Sequence, residues 1–339
     1  MGGTESGQPG QYENFDGIRA YACVGIVCMH VLKNGNFGLS GFVFERLIPS
    51  FTNFTYLFMI LSAFSMCCGY YEKFTSGTVD IERFYRRRYQ RVWSYFALLC
   101  TVETLLEHTL NALCEWFADI TLAFALIPNH GIEIVGVGWF LGVVFVFYML
   151  FPFFAFLMSN RKRAWMTMTA TIILHTLCRL RFRDAMGRTN FIYCAMFFAA
   201  GGIIYLYRDK LKGKMAQYVS ESATPLAAIC YYAVNDSEYA MLGLFSLVLI
   251  VGISCRGGVA RVVFQNKIAL FLGSISMEIY LCHMFAYRAL ERLSLTHILP
   301  NPVANYCLAS VGALVGAIVM SLAFRKLAEL TGGFFPKNA

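Results

Sequence analysis

The sequence consists largely of apolar runs that are long enough to cross a lipid bilayer. A transmembrane helix needs about 20 mostly apolar residues to span a hydrocarbon core about 30 Å thick. Runs approaching this length, separated by charged or Gly-, Pro- and Asn-rich breaks, occur at about 16–33, 51–71, 92–109, 138–158, 164–178, 190–207, 221–235, 239–255, 267–286 and 303–326. Because 58% of the residues are hydrophobic and only 14% are charged, the lipid bilayer is the expected surrounding medium. We therefore predict an all-α integral membrane protein with about ten transmembrane helices in one bundle.

The basic loops predict how the chain is oriented in the membrane. A shorter apolar run at about 117–127 is expected to be interfacial or re-entrant. With that choice and a cytoplasmic N-terminus, the basic clusters at 83–91, 161–163, 208–214, 256–267 and 325–337 all face the cytoplasm, as the positive-inside rule requires. We predict a multi-pass protein of the cytoplasmic (inner or plasma) membrane, with both termini cytoplasmic, a short tail at 1–14 and a transmembrane domain at 15–330.

One basic cluster disagrees with this orientation. Arg179, Arg181, Arg183 and Arg188 would face outward, either as a tolerated exception or as a contact for an anionic substrate or headgroup. The net charge of +8 lies mostly in short loops, which indicates membrane orientation and not nucleic-acid binding. The twelve cysteines are scattered without paired spacings, so we expect neither a disulfide framework nor a metal site.

The first span carries ionisable residues at both ends. Asp16 precedes the apolar run and is expected to cap the N-terminus of the helix. Arg19 and His30 are eleven residues apart, about three helical turns plus 20°, so they share one face with a rise of about 16 Å between them. An interfacial arginine or a structural histidine would explain either residue alone. Because ionisable residues at membrane depth usually face a partner or a cavity, the two together favour a site inside the bundle.

Further polar residues are candidates for the same site. Arg86, Arg87, Arg88 and Arg91 either set the topology and contact anionic lipid, or bind a phosphate-rich molecule through bidentate hydrogen bonds. Glu103 lies inside the third span, where a carboxyl group must be protonated or face water or a cation. The remaining candidates are Ser62, Trp139, Tyr148, Tyr280 and His283. The alternative roles are helix packing for Ser62, an interfacial aromatic belt for Trp139 and an outer-surface position for His283.

Five stretches taken together resemble the acyltransferase type three family of polytopic membrane O-acyltransferases. They are FDGIRAYACVGIVCMH, LFMILSAFSM, FYRRRYQRVW, GWFLGVVFVFYMLFPFF and GSISMEIYLCHMF, and they occur in the family's order over about residues 14–290. Two positions depart from the family pattern. Ala63 stands where a Gly usually follows the Ser, and Val144 lies near the place where many members carry a Glu, so we assign no acid in the fourth span.

The resemblance implies an acyltransferase domain at 15–330. It would move an acyl group, usually acetyl, from cytosolic acyl-CoA to a hydroxyl of a cell-envelope glycan or lipid-linked saccharide. Acyl-CoA is then a donor substrate, and no bound cofactor is expected. The basic loop would bind the CoA phosphates, while His30 would act as general base with Arg19 and Asp16 in the catalytic group. Direct transfer and an acyl-enzyme route both stay open, as does the oligomeric state.

Two other classes of function fit parts of the sequence. Buried Arg, His and Glu also occur in proton-coupled secondary transporters and in sugar or lipid permeases, although no internal repeat is visible here. A sensor or assembly subunit would keep the fold without catalysis.

Overall fold

The structure is a computed structural model that describes residues 13–107, 109–122, 124, 135–182, 186–234, 237–255 and 257–330. All regular secondary structure in these residues is helical, which confirms the predicted all-α class. The helices are α1 (Glu13–Asn34), α2 (Val43–Thr75), α3 (Ile81–Glu107), α4 (Leu110–Ile120), α5 (Trp139–Leu157), α6 (Arg161–Arg181), α7 (Phe191–Tyr207), α8 (Lys214–Ala233), α9 (Glu238–Ser254), α10 (Gly258–Phe264), α11 (Lys267–Ser274), α12 (Ser276–Arg292) and α13 (Pro302–Leu330). Each predicted span therefore contains a helix.

Length and apolar composition support membrane crossing for part of this set. Four segments in the described residues meet both criteria: Asn14–Asn34, Val43–Thr75, Gly136–Leu157 and Pro302–Leu330. The bent pairs α9 with α10 and α11 with α12 raise the number to six if each pair forms one span. The other helices fall short for visible reasons, since α3 begins with an arginine-rich stretch and α7 has only 17 residues. Ten crossings stay a prediction.

Helix α1 lies at the centre of the described helices. It contacts α2, α9, α10, α11, α12 and α13. Its buried side chains include Ile18, Cys23, Ile26 and Val27, each no more than 2% exposed. The N-terminal boundary differs from the prediction: α1 begins at Glu13, so Asp16 lies one turn inside the helix, and its predicted role as N-cap is wrong.

The predicted span at 267–286 is divided into two helices. α11 ends at Ser274, and α12 leaves it at an angle of 79°. Two backbones approach closely just before the bend, because a Cβ atom on Gly273 would lie 2.0 Å from the carbonyl oxygen of Asp16. The Ser276 hydroxyl also donates to the Gly273 carbonyl across the bend, at 2.8 Å. The bend presents the start of α12 to the middle of α1.

Replacing Gly273 with Ala should lower the stability of the protein by about 1–3 kcal/mol, since the new methyl group meets backbone that cannot rotate away. We expect a lower midpoint temperature when the detergent-purified protein is heated and its monodisperse fraction is measured by size-exclusion chromatography. Gly243→Ala is the matched control, because Gly243 lies in α9 with no other atom within 4 Å of its Cβ position. Equal midpoints for the two variants would contradict the close-approach argument.

The short apolar run at 117–127 overlaps helix α4. The eleven residues of α4 are too few to cross a bilayer, in keeping with the prediction that this run does not span. The helix begins earlier than predicted, because the Thr109 side chain caps its N-terminus by accepting from the Ala112 amide at 3.1 Å. Position 123 and the end of the predicted segment beyond 124 lie outside the described residues.

Candidate active site

Two histidines from different helices meet beside the centre of the bundle. The ring centroids of His30 on α1 and His283 on α12 are 5.1 Å apart, and the ring planes are inclined by 48°. The helices run in step, since the Cys23 thiol donates to the Ser276 carbonyl at 3.3 Å and the two histidines follow seven residues later on each helix. His30 is partly exposed, whereas His283 is fully buried. The structure thus resolves the alternatives for His283, which lies in the interior against His30.

The hydrogen bonds of His283 define its tautomer. Its Nδ1 lies 2.7 Å from the Tyr280 carbonyl oxygen and 3.3 Å from that of Ile279. Because carbonyl oxygens only accept hydrogen bonds, Nδ1 carries the proton in the neutral ring, and Nε2 keeps its lone pair. This Nε2 is buried and has no hydrogen-bond partner among the described residues. The site therefore contains an unused acceptor next to the His30 ring.

Arg19 and Asp16 form an ion pair near the start of α1. One Nη of Arg19 donates to the Asp16 carboxylate at 2.8 Å, and the other donates to the Ser65 hydroxyl of α2 at 3.1 Å. The pair fixes the guanidinium toward α2, about three helical turns away from His30. Ser65 was not among the predicted site residues. Ser62, which was a predicted site residue, lies half-buried on the same helix and has no side-chain hydrogen bond to the described residues.

Two arginines of the basic stretch, Arg88 and Arg91, lie near each other, and Arg91 also lies near Arg19. Arg88 donates to the Tyr70 hydroxyl at 3.1 Å, and its guanidinium lies 4.8 Å from the Tyr70 ring centroid and 5.8 Å from that of Tyr148. Arg91 is in electrostatic contact with both Arg19 and Arg88. Neither Arg88 nor Arg91 forms an ion pair within the part of the chain that the structure describes. Together with Arg19, whose charge is paired with Asp16, these two residues form a cluster that carries a net positive charge.

The other two candidate arginines stand apart from this cluster. Arg86 exposes 63% of its side chain, and its closest acid is Glu82 at 3.9 Å, one turn earlier on α3. Arg87 is also exposed, although it lies near the Tyr70 hydroxyl. Arg88 is therefore half-buried, whereas Arg86, Arg87 and Arg91 are exposed, and Arg91 differs from the other two exposed residues by its proximity to Arg19.

Glu103 has a structural partner. Its buried carboxylate is paired with Arg288 of α12. This contact supplies the cation that the depth of Glu103 in its span demands, and it ties α3 to the helix that carries His283. The sequence could not reveal it, because the two residues are 185 positions apart.

Tyr280 and Trp139 have different contacts within the protein. The Tyr280 hydroxyl donates to the Val137 carbonyl at 2.7 Å, and its ring centroid is 6.1 Å from that of His283. Trp139 lies under the guanidinium of Arg188, at 4.8 Å from its ring centroid. Trp139 is therefore engaged with a cation inside the protein, which argues against a simple belt position.

Arg188 is a site residue that the sequence signalled only indirectly. Its Nη1 donates to the Thr52 hydroxyl at 2.9 Å, while its Nη2 donates to the Thr52 carbonyl at 2.9 Å and to the Thr55 hydroxyl at 3.2 Å. Its positive charge interacts electrostatically with the His30 ring. The signal was the disagreement of its cluster with the positive-inside rule. The other members differ: Arg179 pairs with Glu238 at 2.9 Å, Arg181 is exposed, and Arg183 lies outside the described residues.

A cavity opens beside the C-terminal end of α1. Its volume is ≈ 550 Å³, and its lining includes Met29 and Lys33, which flank His30 along the helix, together with Thr52 and Arg188. The cavity and the arginine cluster thus lie toward opposite ends of α1, with the histidine pair nearer the cavity. All twelve cysteines are free thiols, and the described residues contain no group of His, Cys, Asp and Glu that could hold a metal ion.

Comparison with known proteins gives one match. The family model described as an acyltransferase domain matches residues 12–322, which include both histidines, the arginine cluster and the cavity. No curated protein and no solved structure shows significant similarity to the chain.

Proposed function

Because the chain belongs to the acyltransferase family whose domain covers residues 12–322, we propose that it is a membrane O-acyltransferase. The donor is acyl-CoA, with acetyl-CoA as the simplest case. The acceptor is a hydroxyl group of a cell-envelope glycan or lipid-linked saccharide. The observation that carries the proposal is the contact between His30 and His283. Their ring centroids are 5.1 Å apart, and Nε2 of the buried His283 has a free lone pair.

The arginine cluster supports an anionic donor at the N-terminal end of α1. Arg88 and Arg91 hold two positive charges near the Arg19–Asp16 ion pair, and the nearby Glu278 is already engaged by Arg325 at 2.9 Å. Guanidinium groups bind phosphates through paired hydrogen bonds, and CoA carries several phosphates on its nucleotide. The acyl thioester lies at the end of the flexible arm of CoA. Binding the nucleotide at the cluster lets this arm run along α1 toward His30.

The reaction needs a general base and then a general acid, and His30 supplies both in turn. His30 takes the proton from the acceptor hydroxyl as the oxygen attacks the thioester carbonyl. The tetrahedral intermediate then collapses, the carbon–sulfur bond breaks, and the imidazolium of His30 returns its proton to the leaving CoA sulfur. The lone pair on Nε2 of His283 is unpartnered in the structure, and a hydrogen bond to it from the second nitrogen of His30, formed during the reaction, would orient the His30 ring and stabilise its charged form.

Mass spectrometry of envelope glycans is the direct test of this function. Cells that make the protein should carry glycans heavier by one acyl group than those of cells without it, and labelled acetate should appear in the added group. The His30→Ala protein, made at the same membrane level, is the control. Identical glycans in the presence and absence of the protein, together with proton-dependent uptake of a saccharide, would favour the transporter interpretation instead.

A further inference from the structure

The cavity beside α1 carries a charge that the acyl-transfer proposal leaves unexplained. Among the described residues, its lining includes two cationic side chains, Lys33 and Arg188, and no acidic one. We propose that this cavity binds the acceptor through a negative charge, a carboxylate or phosphate group on the saccharide, and so presents the neighbouring hydroxyl to His30. The inference rests on the proposed function, because it assigns the acceptor class of the same site.

Neither cation has a counter-ion within the part of the chain that the structure describes. The ion pairs there involve other residues, such as Arg179 with Glu238 at 2.9 Å. Lys33 is exposed at the cavity, but Arg188 is half-buried, and its Nε is buried without a hydrogen-bond partner among the described residues. A half-buried guanidinium without a partner charge loses hydration without recovering the electrostatic energy. An anionic ligand in the cavity would recover it.

Arg188 is held in position by contacts within the protein. Three hydrogen bonds to Thr52 and Thr55 fix its terminal nitrogens, and its guanidinium lies 4.8 Å from the Trp139 ring centroid and 5.8 Å from that of Tyr56. Of its five N–H groups, one on Nη1 and the one on Nε remain unused. A side chain ordered in this way loses little conformational entropy on binding, which is the condition for efficient recognition.

The wall of the cavity opposite α2 is also preformed. Asn36 and Gly38 have positive φ values of 46° and 66°, so the chain turns sharply as it leaves α1. Phe37 anchors this turn, with its ring centroid 5.1 Å from that of His297 and 5.7 Å from that of Tyr306. The volume of ≈ 550 Å³ is in the range of organic-ligand pockets and far exceeds the space that a bare inorganic ion needs. An anionic sugar fits these properties better than an isolated ion.

The test measures binding without acyl-CoA, on the full chain in phosphatidylcholine nanodiscs. The probes are cellobiouronic acid with its carboxylate, polyprenyl-phosphate-linked glucose with its phosphate, and neutral cellobiose. We expect at least one charged probe to bind about tenfold or more tightly than cellobiose. Binding of the soluble acid identifies a free saccharide as the source of the charge, and binding of the lipid-linked sugar alone identifies a membrane-borne one.

Two variants assign the charge preference to the cavity. Lys33→Gln and Arg188→Lys should each weaken binding of the charged probe about tenfold and leave the affinity for cellobiose unchanged. Lys162→Gln, which removes an equal charge from an exposed position at the start of α6, should leave both affinities unchanged. If Arg188→Lys does not fold, as judged by size-exclusion chromatography, Lys33→Gln decides.

Equal affinity for charged and neutral probes, or a charge preference that survives in the folded cavity variants, would overturn the proposal. The two levels of inference separate cleanly. If charged probes bind and the variants lose them while no acyl transfer is detected, the cavity assignment stands and the proposed function fails. If acyl transfer occurs and the variants bind normally, only the cavity assignment fails.

Discussion

His30→Ala is expected to reduce acyl transfer by about 10²–10⁴-fold while leaving the affinity for acyl-CoA unchanged, since a general base contributes a factor of that size. The loss should appear in kcat, because the base acts on the acceptor hydroxyl in the transition state and the CoA phosphates bind at the other end of α1. The measurement is transfer of labelled acetyl groups by protein reconstituted in nanodiscs, together with equilibrium binding of acetyl-CoA.

The matched control for this variant is Val24→Ala, a truncation of another half-buried side chain on α1. It should retain transfer within a few-fold of the unmodified protein. Full activity in His30→Ala would remove this residue from the mechanism. A parallel loss of acetyl-CoA binding would show that the substitution disturbed the donor site and not the proton transfer.

A double variant tests whether His30 and His283 act together, which neither single variant can show. If His283 acts by orienting His30 through its Nε2 lone pair, removing it matters only while His30 is present. The double variant His30→Ala/His283→Ala should then be no less active than His30→Ala, because residues that act as a unit are not additive. Two losses that multiply in the double variant would instead indicate that the two histidines act independently.

The sequence predicted the parts of the site that depend on one helix. Arg19 and His30 follow from helical spacing, and the basic stretch at 83–91 is visible as charge. What it could not supply was the relation between helices. The partner of His30 depends on α1 and α12 running in step, which a contact between Cys23 and Ser276 establishes across 253 positions. No periodicity within one helix contains that information.

The fold shows the same division between local and long-range causes. Every predicted span contains a helix, because apolar composition is a local property. Neither the bend between α11 and α12 nor the close approach of the Asp16 backbone to Gly273 was predicted, because the sequence shows only an apolar run with a glycine in it. Arg188 was visible only as a violation of the positive-inside rule. Violations of a general rule are therefore where tertiary structure adds most to a sequence interpretation.

The second large effect concerns the donor. Arg88→Ala combined with Arg91→Ala should weaken acetyl-CoA binding by about 10²-fold or more at low salt, since each charged hydrogen bond to a phosphate contributes about 1.5–3 kcal/mol. The loss should shrink as salt is raised, because mobile ions screen the remaining charges. Equilibrium binding of acetyl-CoA at two salt concentrations, with kcat at saturating donor, measures both effects.

Two arginines of the same stretch that lie outside the cluster provide the control. Arg83→Ala combined with Arg86→Ala removes the same net charge from exposed positions on α3, so it should change acetyl-CoA affinity by less than about threefold. If the stretch served only to orient the chain or attract anionic lipid, the two double variants would behave alike, since both functions depend on total charge. A large difference between them therefore requires a site built from individual guanidinium groups, with Arg88 fixed between Tyr70 and Tyr148 and Arg91 directed toward Arg19.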